Sequence, residues 1–214
     1  MPHDGQTVTD SDTSPLLEGL LDLTEQALPP LEDILGRATT VLRDSVTSDG
    51  RVAGALLEQQ QTAAHGLAWL ATYVEALRQM RAWAGRLAED GALGEVEQLI
   101  LQIAFGEYLW QIYGGIPMSQ GEIVRLQDLG LTQDDQRAMM APGVMTLTQT
   151  GNTQTARTRL VEIMRERTAD ISFGNTGLED ELEMIREQFR RFAKAVSYTH
   201  LRAHETYLLI SYAV

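Results

Sequence analysis

Apolar residues recur at three- and four-residue steps through most of this chain, the periodicity of a helix that buries one face. The spacing sets in at Leu16, Leu17, Leu20, Leu21 and Leu23, with Ser14 placed as an N-cap and Pro15 at the first helical position. Pro29 and Pro30 lack amide protons and predict the end of that helix. A second stripe opens with Leu31, Ile34, Leu35, Ala38, Val41 and Leu42, and Ser48, Asp49 and Gly50 mark the next turn. The strongest periodicity spans residues 52–89, where Trp69, Tyr73, Leu77, Met80, Ala84 and Leu87 share a face and no proline intervenes. That pattern predicts one long helix. Beyond Asp90, Gly91 and Ala92, the series Val96, Leu99, Ile100, Ile103 and Trp110 predicts another, ending at Gly114 and Gly115. Two long helices joined by a short loop predict an antiparallel hairpin, with Trp69, Tyr73, Leu77, Ile100 and Ile103 facing inward.

Further on, residues 119–129 and 132–140 predict short helices around Gly130, and Ala141, Pro142 and Gly143 break the pattern. Residues 146–155, rich in Thr and Gln, predict a loop with some extended structure. Residues 157–168 and 178–194 predict two amphipathic helices separated by Phe173, Gly174 and Asn175. No stretch alternates with period two for long enough to require a sheet, so the expected class is all-α, a helical bundle. Residues 1–14 have almost nothing to bury and predict a disordered acidic tail; the first 36 residues hold eight acids and no Lys or Arg.

Charge and composition narrow the function classes. The 214 residues carry a formal net charge of -13, with 30 acidic side chains against 17 basic ones, only one of them lysine. A nucleic-acid surface needs clustered cations and is excluded as an expectation. No apolar run approaches the ~20 residues that span a bilayer, and the N-terminus lacks a basic start followed by an apolar core. Neither a membrane segment nor a secretory leader is therefore expected. The absence of cysteine removes disulfides and thiolate metal sites, which fits the reducing cytoplasm.

Residues 196–214 differ from what precedes them, holding three of the six tyrosines and two of the four histidines but only Arg202 and Glu205 as charges. VSYTHLRAHET resembles the peptide read from sequencing-adapter DNA, so this stretch is expected to be an artefactual tail on a truncated chain. His200 and His204 stand at i and i+4, the spacing of two metal ligands on one helix face. They lack a third ligand and fall in the suspect tail, so no metal site is assigned.

Candidate chemistry elsewhere is sparse. His65 shares a helical face with Trp69, and Glu107 falls one turn beyond Ile103 on the apolar side of the next helix; they read as a buried acid/base pair, as a structural hydrogen bond, or as two partly exposed groups that never meet. Trp69, Tyr73, Trp83, Tyr108 and Trp110 read as an aromatic ligand box or as core, and Met139 with Met140 as packing or a soft-metal site. There is no phosphate-binding loop, dinucleotide fingerprint or nucleophile motif, and no catalytic residue is assigned.

The acidic, Arg-rich helix Glu179-Asp180-Glu181-Leu182-Glu183-Met184-Ile185-Arg186-Glu187-Gln188-Phe189-Arg190-Arg191-Phe192-Ala193 resembles the helix that opens the acyl-CoA dehydrogenase flavoenzyme fold. HGLAWLATYVEALRQMRAWAGRL, beginning at His65, and GEVEQLILQIAFGEYLWQIYGGIPMSQGEIVR, beginning at Gly94, resemble a helical extension that precedes the catalytic domain in one branch of that family. The likeness covers roughly residues 16–195 and implies an extension over residues 15–176 followed by the first catalytic-domain helix over 177–195. It further implies a bacterial, homo-oligomeric parent enzyme of acetyl-CoA assimilation. In such an enzyme a glutamate takes the α-proton of a branched dicarboxylyl-CoA, FAD accepts the β-hydride, and electrons pass to an electron-transfer flavoprotein. The chain itself is then expected to be inactive and to hold no FAD. Gln111-Ile112-Tyr113-Gly114-Gly115 is similar to the family's Q-x-x-G-G segment near a flavin, with Tyr113 where histidine is common. The same glycines also read as a helix C-cap.

Overall fold

The structure, a computed structural model, describes residues 14–166 and 177–211. The expected acidic tail before Ser14 and the separator at Phe173, Gly174 and Asn175 lie outside the described residues. Contacts divide the chain into two units, Met1–Gly174 and Asn175–Val214.

In the first unit, helix α1 spans Leu20–Val46 and runs straight through Pro29 and Pro30. The two expected helices are one, and it begins at Leu20 rather than Pro15. Residues 15–19 instead form bends and a turn, the Leu16 amide donating to Ser14 Oγ, and Gly19 enters the helix in the left-handed region. Each internal proline costs about 3 kcal/mol. Against that stands an unbroken stripe of Leu20, Thr24, Ala27, Leu31, Ile34 and Ala38, all buried, with Pro29 on the exposed side. Burial of Leu20, Leu31 and Ile34 is worth about 1.5–3 kcal/mol each, a gain of the same order that offsets the cost of the prolines.

The expected helix over 52–89 also starts later. Thr47–Ser48 (β1) and Arg51–Val52 (β2) form a two-residue hairpin, with Asp49 and Gly50 both at positive φ, the geometry that Asp-Gly favours between paired strands. After it come α2 (Gly54–Gln59) and α3 (Gln61–Glu89), separated at Gln60. Helix α4 (Glu95–Gly114) returns alongside α3. Tyr73 and Gln111, at comparable distances from the intervening loop, are hydrogen-bonded, so the pair is antiparallel as expected. Tyr73, Leu77, Ala84 and Leu87 are buried, whereas Trp69, Met80, Ile100 and Ile103 are half-buried. Trp110 is not a member of the buried stripe: it is 50% exposed, and the inward face of α4 is carried by Leu101, Phe105, Leu109 and Ile112.

Helix α4 is apolar on two sides because it separates two clusters. One side joins the main core of α1, α3 and the later elements; the other meets Leu16, Leu160, Ala156 and Ile163 in a smaller one. Gln102, buried between them, accepts from the Leu17 amide at 3.0 Å and donates to the Pro15 carbonyl at 2.7 Å. Those two bonds hold the entry segment on α4.

Residues 119–129 are not a helix. Ile116–Ser119 (β3) and Glu122–Val124 (β4) form an antiparallel hairpin, with Ile116 opposite Val124 and both buried, followed by a short 3-10 helix, Leu126–Leu129. Helix α5 (Gln133–Met139) starts at a capping box in which Thr132 and Asp135 satisfy each other's amides. The first half of the expected loop over 146–155 belongs to helix α6 (Pro142–Thr150), with Pro142 in the first turn, and its last two residues open the next helix. Its threonines are tolerated because Thr146, Thr148 and Thr150 donate to carbonyls one turn back. Helix α7 (Gln154–Glu166) is tied to the start of α4 by the bidentate pair of Arg159 and Glu95, at 2.7 and 2.9 Å.

The crossing of α4 with the end of α6 is unusually close. A Cβ on Gly106 would lie 2.5 Å from the Asn152 amide nitrogen and 3.0 Å from the Leu147 carbonyl oxygen, and one on Gly151 would lie 2.7 Å from the Gln102 carbonyl oxygen. Only two glycines let these backbones approach so far.

The second unit contains α8, Asp180–Ser211. It begins where a helix was expected and its backbone continues as helix across Val196. The side chains of His200 and His204 lie outside the described part of the structure.

Candidate functional site

Of the residues singled out in the sequence, Tyr73, Glu107, Trp110, Gln111, Tyr113 and Met140 lie around the C-terminal end of α4, on both of its flanks. On one flank Tyr73, from α3, donates its hydroxyl to Gln111 Oε1 at 2.6 Å. Gln111 Nε2 donates to Glu107 Oε1 at 2.7 Å, and Asn152 Nδ2 donates to the other carboxylate oxygen at 2.6 Å. Arg157 closes the series, donating to the side-chain and backbone oxygens of Asn152 at 2.8 and 3.1 Å. Desolvation raises the Tyr73 phenol above its ordinary pKa, with further upward pushes from Tyr108 and from the Glu107 charge. A phenol so placed stays protonated and acts as a donor.

Glu107 and His65 do not form an acid/base pair. Glu107 is exposed rather than on the apolar face, and its oxygens are taken by two amide donors. His65 Nε2 accepts from Trp69 Nε1 at 3.1 Å, a bond that assigns the proton to the other ring nitrogen. Both residues are structural acceptors.

The aromatic box does not assemble either. Trp69, Tyr73 and Tyr108 form a run of edge and tilted contacts, at 6.1 and 4.5 Å between centroids. Trp83 packs elsewhere on the main core, and Trp110 faces the opposite flank with Tyr113, 6.1 Å away. On that flank Trp110, Tyr113, Gln136, Met140, Met145 and Gln149 line an open groove of about 580 Å³. Gln136 Nε2 donates to the Tyr113 carbonyl at 3.0 Å, satisfying one of the end carbonyls of α4. Met139 is buried, while its neighbour Met140 lines the groove. Among the described residues no three His, Asp or Glu side chains cluster to hold a metal ion, and no helix is long and apolar enough to cross a membrane.

The 111–115 segment does not fit a flavin pyrophosphate. The Gly115 amide donates to the Gln111 carbonyl at 2.8 Å and closes the helix, and Gly115 sits at φ 135 with the Ile123 side chain against the position a Cβ would take. The Gln111 side chain is already occupied by Tyr73 and Glu107. Moreover, a helix C-terminus presents carbonyls and partial negative charge, the opposite of what a phosphate needs. The glycines serve as the C-cap. Asn152 and Gln102 carried no sequence signal because each meets its partner only after the chain has folded back; Arg157 joins Asn152 from five residues further on.

No family model matches this chain. Over 181 residues, 84% of its length, it is 56% identical to the (2S)-methylsuccinyl-CoA dehydrogenase of Cereibacter sphaeroides. The chain covers 32% of that relative, about a third of its length. Identity at this level over most of the chain supports an origin related to the acyl-CoA dehydrogenases.

Proposed function

We propose that this chain is the helical module that precedes the catalytic domain in a methylsuccinyl-CoA dehydrogenase-like flavoprotein. The 56% identity over 181 residues is the observation that supports this reading. On it, residues 15–176 are the extension, 177–195 the first helix of the dehydrogenase domain, and 196–214 a foreign tail. The parent would be a cytoplasmic homo-oligomer that oxidises the α,β bond of a methylsuccinyl-type acyl-CoA to the unsaturated thioester and passes electrons to an electron-transfer flavoprotein. FAD would supply the hydride acceptor in that parent. This chain's own contribution is architectural: the Tyr73 to Arg157 hydrogen-bond series fixes α3, α4 and the turn before α7 relative to one another.

A non-enzymatic helical interaction module is the competing reading, and the exposed apolar face of α8 favours it. Two measurements test the proposal, and the second separates it from its competitor. The purified chain, incubated with FAD and methylsuccinyl-CoA, should show neither bound flavin absorbance nor reduction of an electron acceptor. Stoichiometric flavin would overturn the assignment of a purely architectural role. Reading the source DNA beyond the codon for Lys194 should then reveal a dehydrogenase frame; an immediate in-frame stop there would favour the interaction module.

A further inference from the structure

Two Asp-Gly pairs stand in described turns, Asp49-Gly50 and Asp90-Gly91, and the fold holds them differently; Asp4-Gly5 lies outside the described residues. In such a pair the side-chain carboxyl can condense with the next backbone amide, because glycine puts no Cβ in the way of the closing ring. Ring closure needs two freedoms. The amide nitrogen must be unengaged, and the bond from the aspartate Cα to its carbonyl carbon must turn until that nitrogen reaches Cγ. At Asp90-Gly91 both are withheld. Asp90 caps α3, the Gly91 amide donates to the Ala88 carbonyl at 3.1 Å, and the Ala92 amide donates to the Leu87 carbonyl at 2.7 Å. With Gly91 in the left-handed region this is the paired closure of a Schellman motif, and turning Asp90 would undo the helix end.

Asp49-Gly50 is the loop between β1 and β2. Both residues are exposed, the Gly50 amide makes no hydrogen bond among the described residues, and the Asp49 carboxylate has no partner there. The pairing belongs to the residues on either side, Thr47 with Val52 and Ser48 with Arg51. Strands of two residues make a hairpin that opens at little cost. Asp49 is also the one non-glycine at positive φ among the described residues, at φ 51, a conformation that L-residues hold at a cost. Rotation away from it is therefore favoured by the residue's own backbone.

We infer that Asp49 is a modification site, converted to isoaspartate through a cyclic imide with Gly50, while the fold withholds Asp90 from the same reaction. The Gly50 nitrogen attacks Cγ of the protonated Asp49 carboxyl; the amide proton and the carboxyl hydroxyl leave as water, and a succinimide ring closes. Water then opens the ring. Attack at Cγ restores aspartate, whereas attack at the former backbone carbonyl carbon leaves the chain running through Cβ and Cγ. One water leaves and one enters, with no oxidant or reductant, so mass and formal charge are unchanged. The product adds a carbon to the backbone of a two-residue loop, so the Thr47 to Val52 register is lost and the link between α1 and α2 is altered.

The full chain should be kept folded in buffer for several weeks, sampled, and cut after its arginines. Asp49 then falls in the fragment 44–51, Asp90 in 87–125 and Asp4 in 1–37, so each pair is read separately. Isoaspartate is detected as a shift in retention at constant mass, located by electron-transfer fragmentation, and counted by labelling with an isoaspartyl methyltransferase. In the folded chain the Asp49 fragment should convert at least about tenfold faster than the Asp90 fragment, a difference of about 1.4 kcal/mol in accessibility. In denaturant the two rates should converge. Asp49→Glu, which would need a slower six-membered ring, should remove the signal from its fragment and leave that of Asp90 unchanged. Equal rates in the folded chain, faster conversion of Asp90, or no isoaspartate at Asp49 overturn the inference. So does a ratio that denaturant leaves unchanged, since the neighbouring residues and not the fold would then make the choice.

Discussion

Replacing Gly106 by alanine tests the closest contact in the bundle. In an isolated helix the change would be favourable by about 1 kcal/mol, because alanine loses less backbone entropy than glycine. Here the new methyl would meet the Asn152 amide nitrogen at 2.5 Å, with the Gly151 carbonyl carbon and the Leu147 carbonyl oxygen both at 3.0 Å. All three are backbone atoms, so no rotamer change relieves the clash and α4 must move away from α6. Overpacking of this kind costs about 1–3 kcal/mol, and the upper end applies when backbone has to shift. The net loss is therefore about 2 kcal/mol, or roughly 4–8 °C in the thermal midpoint of a unit this size. Gly36→Ala is the matched control: it sits inside α1, exposed, with nothing within 4 Å of the added carbon. It should raise the midpoint by the ~1 kcal/mol of helix propensity. Melting curves of the three proteins decide the matter. If Gly106→Ala is as stable as the parent, or both substitutions shift the midpoint the same way, the close crossing of α4 and α6 is wrong.

Leu77 is fully buried on α3, and Leu77→Asp should cost about 4 kcal/mol or more in urea unfolding, by lost burial and a stranded carboxylate. Asp135 is held below its ordinary pKa by the Thr132 hydroxyl first, then by the Thr132 amide and by Arg37. A depressed folded pKa stabilises above the unfolded value of about 3.9, and that stability is lost as the pH falls through the lower folded pKa. The stability gap between the parent and Asp135→Asn should hold from neutrality down to mildly acidic pH and close below it, as a pH series of denaturant midpoints would reveal. Ending the chain after Ala195 should leave the melting midpoint of the bundle unchanged and reduce aggregation, because YLLISYAV combines high β-propensity with little charge. A clear fall in the midpoint would make residues 196–214 part of the native structure.

The long elements were legible because their burial is periodic. Tyr73, Leu77, Ala84 and Leu87 mark α3 from any reading of the chain, and Asp90, Gly91 and Ala92 mark the loop after it. Legibility failed where a local rule was overruled from a distance. Pro29 and Pro30 look like a helix end until the stripe on either side of them is seen to be a single line. Residues 116–124 are too short to announce a hairpin, and become one because Ile116 and Val124 share a buried site against α3. The threonines of α6 suggest a loop by propensity, yet Val144 and Leu147 are wholly buried. At the candidate site the glycine C-cap was visible. The Asn152 partner of Glu107 was not, since it is brought there by a helix crossing that two glycines permit.

The proline pair in α1 divides that helix in a way its outline does not. Pro29 and Pro30 can offer no proton to the carbonyls of Glu25 and Gln26, so the ladder of backbone bonds is interrupted for two consecutive rungs while the rod continues. Helical order propagates through those rungs. The part before the prolines and the part after them are thus joined covalently and by side chains but are separate cooperative segments. Amides from Leu23 to Leu28 should exchange with solvent through openings of lower free energy than those between Ile34 and Leu42, and the boundary in protection should fall at the prolines. A fluctuation that frees the N-terminal turns, along with the entry segment held by Gln102, can therefore occur without unzipping the remainder of α1.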